Sequence, residues 1–117
     1  MSTNAIEDKS FDFAVRIVNL YKFITKEKNE FVISKQLLRC GTSIGANVTE
    51  SQQGQSTADF LSKLNIALKE SVETRYWLKL LYKTEYITTV QFDSMESDLK
   101  EIISLLTAIC KTTKNKM

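Results

Sequence analysis

Read at helical spacing, the apolar positions of this chain fall into four stripes, with no strand-like alternation long enough to compete. From about Phe11 to Lys26, Phe13, Ile17, Leu20 and Ile24 recur at three and four, with Ala14 and Tyr21 beside them. That spacing keeps side chains on one face of a helix. Ser10 stands where an N-cap is expected, with Asp12 in the first turn. From about Ser34 to Gln53, Leu37, Cys40, Ile44 and Val48 share a face, with Asn47 and Ser51 on its edge, and Gly54 is expected to end the helix in a left-handed conformation. From about Thr57 to Lys83 the stripe is Phe60, Leu64, Ala67, Leu68, Ser71, Leu78 and Tyr82, preceded by Ser56 as N-cap with Asp59 three residues on. From about Val90 to Thr113 it is Phe92, Met95, Leu99, Ile102, Ile103, Leu106 and Cys110, and Thr88 with Gln91 fits a capping box. Acids near the start of this last segment and lysines near its end both suit the helix dipole.

The connections are short, about three to eight residues, and short loops between long helices make neighbours antiparallel. The prediction is an all-α fold, an antiparallel up-down-up-down four-helix bundle, as one domain over residues 1–117. The composition agrees. There is no proline and there are only three glycines in 117 residues, so nothing forces breaks in the helices. The chain is 43% hydrophobic and 26% charged, which argues against disorder.

Some chemistry is excluded by what the chain lacks. Zero histidine removes the commonest general base, the Ser-His and Cys-His pairs, and the usual zinc and di-iron ligand sets. Cys40 and Cys110 lie on apolar stripes and read as small buried hydrophobes, with a disulfide as the alternative. MSTNAIEDKS has no basic region followed by an apolar run, so no signal peptide is expected. Apolar runs such as IISLLTAIC are about half the ~20 residues of a membrane span. A soluble, cytoplasmic protein without a membrane partner is expected. The net charge of +2 is evenly spread, apart from the tail CKTTKNKM, and leaves no electrostatic footprint for nucleic acid.

LLRCGTSIGANVTESQQG, residues 37–54, carries Gly41 and Gly45 at a spacing of four. A Walker-type phosphate loop needs Lys and then Ser or Thr after the second glycine, and here Ala46 and Asn47 follow. A helix fits better. Leu38, Thr42, Gly45 and Thr49 form a small, smooth side opposite the core stripe. Helical glycine costs about 1 kcal/mol relative to alanine, so two of them imply close approach of another backbone. The alternative is two tolerated glycines facing solvent.

The third segment has a second apolar face, with Ile66, Glu73, Trp77 and Leu80 on one side and Glu70 beside them; the first has a surplus in Phe11, Val15 and Val18. Exposed apolar faces mark contacts between chains. Leu38, Thr42, Gly45, Ile66, Glu73, Trp77 and Leu80 are therefore the expected oligomer-interface residues. Arg75 falls near the core stripe and needs a partner, for which Glu50, Glu70 and Glu73 are the candidates. Arg39, Asn47, Glu50, Glu70, Glu73 and Arg75 read as one polar network fixing helix register. A carboxylate metal site at Glu70 and Glu73 is the sharper alternative, but ESVE lacks the histidine of di-iron bundles.

QLLRCGTSIGANVTES, from Gln36 to Ser51, and DFLSKLNIALKESVETRYWLKLL, from Asp59 to Leu81, together resemble the four-helix-bundle proteins encoded in intervening sequences of bacterial 23S ribosomal RNA genes. The resemblance covers two motifs in fixed order, roughly the second and third helices. It implies an antiparallel bundle that assembles as a ring-shaped homopentamer, with no established enzymatic activity and a largely unassigned role. It also implies kinship with the accessory proteins of diversity-generating retroelements, which are basic and associate with nucleic acid and reverse transcriptase. The positions that carry over are Arg39, Ser43, Asn47 and Glu50, then Phe60, Ala67, Glu70, Glu73, Thr74 and Leu78, as fold and assembly positions rather than ligand sites. This chain departs from the basic retroelement group in its charge of +2.

The reading that follows is a non-enzymatic homo-oligomeric scaffold, a pentamer by resemblance, with no cofactor, metal or small-molecule substrate. The alternative is an RNA- or DNA-binding oligomer acting through a basic face, whose candidate phosphate contacts are Lys35, Arg39, Lys111, Lys114 and Lys116.

Overall fold

A computed structural model of the chain describes residues 4–117. The reading of the N-terminus falls in part on residues 1–3, outside the described residues. Four helices follow in order: α1 Asn4–Lys28, α2 Ile33–Ser51, α3 Thr57–Lys83 and α4 Thr89–Asn115. Each packs on its two neighbours around a square, with no close backbone approach between the diagonal pairs. The molecule measures 47 × 21 × 19 Å, an all-α bundle. No helix among the described residues is long and apolar enough to cross a membrane.

The four stripes meet in one core. Phe13, Ile17 and Ile24 of α1, Leu37, Ile44 and Val48 of α2, Leu64, Ala67 and Leu78 of α3, and Leu99, Ile102 and Leu106 of α4 are all buried. Cys40 and Cys110 are buried free thiols, and burial pushes both above the ordinary thiol range.

The ends of the helices differ from the expectation at the start of α1 and at the end of α2. α1 begins before residue 11, because Ile6 is buried and extends the stripe by two turns. Ser10 is therefore inside the helix and not its cap; its hydroxyl donates to the Glu7 carbonyl at 3.2 Å. α2 ends at Ser51 through tight turns, in which the Gln53 and Gly54 N–H groups donate to Glu50 and Ser51. Gly54 is not left-handed; the positive φ values belong to Asn29 and Glu85, just past α1 and α3. What Gly54 supplies is room, since a Cβ there would lie 3.1 Å from the Phe60 nitrogen. The Ser56 cap and the Thr88–Gln91 capping box form as expected.

Gly41 and Gly45 do permit a close approach, and it is made within the chain. A Cβ on Gly41 would meet the Ile17 side chain at 2.8 Å, and one on Gly45 the Ser10 carbonyl oxygen at 3.1 Å. Gly45 is covered by α1 and is unavailable to another copy, which corrects its place among the interface residues.

Candidate interaction surface

The groove between α2 and α3 holds a polar cluster. One turn of α3 separates Glu70 from Glu73 and another Glu73 from Trp77, so all three project to one side. From α2, Arg39 places one guanidinium nitrogen 3.5 Å from Glu70 and another on Glu73. The Trp77 indole N–H donates to the same Glu73 oxygen at 3.0 Å. That bond, with the Arg39 charge behind it, holds the Glu73 carboxyl below its ordinary range against the opposing effect of burial. The Arg39 side chain is half exposed, so the ion pairs contribute at most about 1 kcal/mol.

The rest of the expected network separates into local pairs. Arg75 reaches across to Glu96 of α4 at 2.9 Å and to none of the three expected carboxylates. Glu50 pairs with Lys63 at 2.9 Å. The Asn47 amide donates to the Ser43 carbonyl one turn back. A network of Arg39, Asn47, Glu50, Glu70, Glu73 and Arg75 is thus corrected to one cluster at Arg39 and two separate ion pairs. Among the described residues no group of three or more carboxylate or thiol side chains is placed to hold a metal ion.

Beside the cluster lies the outer face of α3. Ile66, Val72 and Tyr76 are exposed, Val72 and Tyr76 by 57% and 58%, and Trp77 and Leu80 are half-buried. The Tyr76 and Trp77 rings meet edge to face at 4.9 Å. Val72, Arg75, Tyr76, Lys79, Leu80 and Lys83 line a shallow cleft of about 390 Å³. Val72 and Tyr76 were missed in the sequence, although their spacing of four is the signal that finds them. Phe11 and Val15 expose 68% and 45% on the outer face of α1, where a surplus was expected. Leu38 and Thr42 are half-buried, Leu38 against the core and Thr42 bonded to the Leu38 carbonyl at 2.7 Å.

The antiparallel layout divides the expected phosphate contacts. Lys35 stands near the start of α2, at the end where α1 finishes, while Lys111, Lys114 and Lys116 stand at the opposite end of the long axis. All four are exposed, and Arg39 is occupied by Glu70 and Glu73.

The family model of the 23S rRNA-intervening sequence protein matches residues 2–108. A crystal structure of a protein of unknown function from the S23 ribosomal protein family of Bacteroides thetaiotaomicron is 61% identical, with a TM-score of 0.93, over 95% of this chain and 99% of that one. No curated protein matches. The chain belongs to the 23S rRNA-intervening sequence protein family.

Proposed function

We propose that this member of the 23S rRNA-intervening sequence protein family is a non-enzymatic interaction protein that works as a homo-oligomer. The observation that carries the reading is the exposed apolar face of α3, in which Val72 and Tyr76 are more than half exposed beside Trp77 and Leu80. A bundle whose core is already closed gains nothing from placing these side chains in water, whereas a contact between chains buries them. The role is scaffolding. Joined copies present their remaining surfaces in a repeated array, and weak sites on such an array gain from multivalency. Five copies in a ring is the number that the sequence resemblance implies.

Light scattering at low and moderate salt, with and without a structured RNA, tests this. The expected mass is a multiple of the 13.4 kDa chain, kept at moderate salt and unchanged by RNA. A 13.4 kDa particle at all concentrations would overturn the reading. A heavier complex with RNA that salt reverses would favour phosphate binding instead, because each neutralised phosphate steepens the salt dependence by ~0.7–0.9 log units.

A further inference from the structure

We infer that the outer face of α3 receives the outer face of α1 from a second copy of this chain. The inference rests on the oligomer reading above and names the two surfaces that meet. Both faces are apolar at a spacing of four, with Phe11 and Val15 on α1 and Val72, Tyr76 and Leu80 on α3. Their charges are opposite. Asp8 and Asp12, four residues apart, bracket Phe11; Lys79 and Lys83, four residues apart, bracket Leu80. All four are exposed, and none forms an ion pair among the described residues.

Charge decides between the ways in which copies can meet. Pairing α3 with α3 sets Lys79 and Lys83 against themselves, and pairing α1 with α1 does the same to Asp8 and Asp12. Of these three pairings, α1 against α3 is the one that places each apolar anchor on another with opposite charges at the rim. An acidic helix of a foreign protein would satisfy α3 equally, but it would leave Phe11 and Val15 exposed on α1. The second copy covers both faces.

Position adds a consequence. α1 and α3 occupy diagonal corners of the bundle, so their outer faces point away from one another. Each copy can therefore give its α1 face to one neighbour and its α3 face to another. Such a contact is heterologous, so it continues past two copies and ends in a closed ring or an open filament.

Charge reversal tests the pairing. The variant Lys79→Glu/Lys83→Glu and the variant Asp8→Lys/Asp12→Lys should each fall to the 13.4 kDa mass at protein concentrations where the wild type is assembled. All four substitutions in one chain should restore the wild-type mass. Far-UV circular dichroism confirms that each variant is folded. If one loses its helical signal, the neutral pair Lys79→Gln/Lys83→Gln replaces it and should show a weakened oligomer. A double variant that keeps the wild-type mass, or a fourfold variant that stays at 13.4 kDa, overturns this contact while leaving the oligomer itself intact. A wild type that is monomeric throughout overturns both.

Discussion

Glu30 shows how much one side chain does where the chain turns from α1 into α2. It is buried, and its carboxylate accepts from the Val32, Ile33 and Ser34 backbone N–H groups at 2.9, 2.8 and 2.7 Å. These include donors of the first turn of α2, which have no partner inside the helix. Ser34 in turn donates to the Glu30 carbonyl at 2.8 Å. Burial alone would raise the carboxyl pKa, but the backbone donors together outweigh it and hold Glu30 below its ordinary range. The sign follows. A lowered folded-state pKa stabilises the fold above the unfolded value, and that stabilisation is lost as pH falls through the lowered one. Glu30→Gln should cost about 1–2 kcal/mol at neutral pH, and the gap to wild type should narrow in acid; urea denaturation at the two pH values measures both. This cap was not legible in the sequence, since a glutamate three residues before a helix start matches no short capping pattern. Arg39 was placed in one network with Glu70 and Glu73 without a named partner, and it is the residue that meets both. The partner of Arg75 was not legible, because which helix flanks its side of α3 is decided only when the bundle closes, and there Glu96 is in reach.

At the scale of elements, all four helices were legible from period alone, and α3 matched from end to end because Ser56 and the turn after Lys83 mark it clearly. α1 was drawn short because Ile6 stands alone, seven residues before Phe13. The glycines of α2 were read as a close approach, and Gly45 was assigned to another copy, where the structure places α1 of the same chain over it. A small helical face says that something comes near; it does not say whether that something belongs to the same chain. Here it is α1, whose Ile17 is fully buried over Gly41. Alanine at this position gains helix propensity of about 1 kcal/mol. It also drives a Cβ to 2.8 Å from two carbons of a side chain with nowhere to go. Overpacking of this kind costs ~1–3 kcal/mol, so Gly41→Ala should be destabilising on balance, with α1 and α2 shifted apart. Thermal unfolding of the variant gives the sign, and a rise in midpoint would mean that Ile17 finds another rotamer.

For the whole molecule, the decisive contrast is between a core that is complete and two outer faces that are not. No described buried side-chain nitrogen or oxygen lacks a hydrogen-bond partner, and the inner stripes of all four helices are closed. The bundle therefore does not need the apolar surface on α3 for its own stability, and this makes that surface testable separately from the fold. Val72→Asp with Tyr76→Asp changes two side chains already more than half exposed, and surface changes of this kind usually move stability by no more than ~0.5 kcal/mol. If copies join through this face, the double variant should fall to the 13.4 kDa mass with its helical content intact. Its unfolding midpoint should also lose the dependence on protein concentration that an oligomer imposes. The two readouts fail in different ways. Lost helix with lost mass would mean that the face supports the bundle itself. Retained mass with retained helix would leave the α3 face open to solvent in the assembly and move the search for the contact to the remaining outer surfaces.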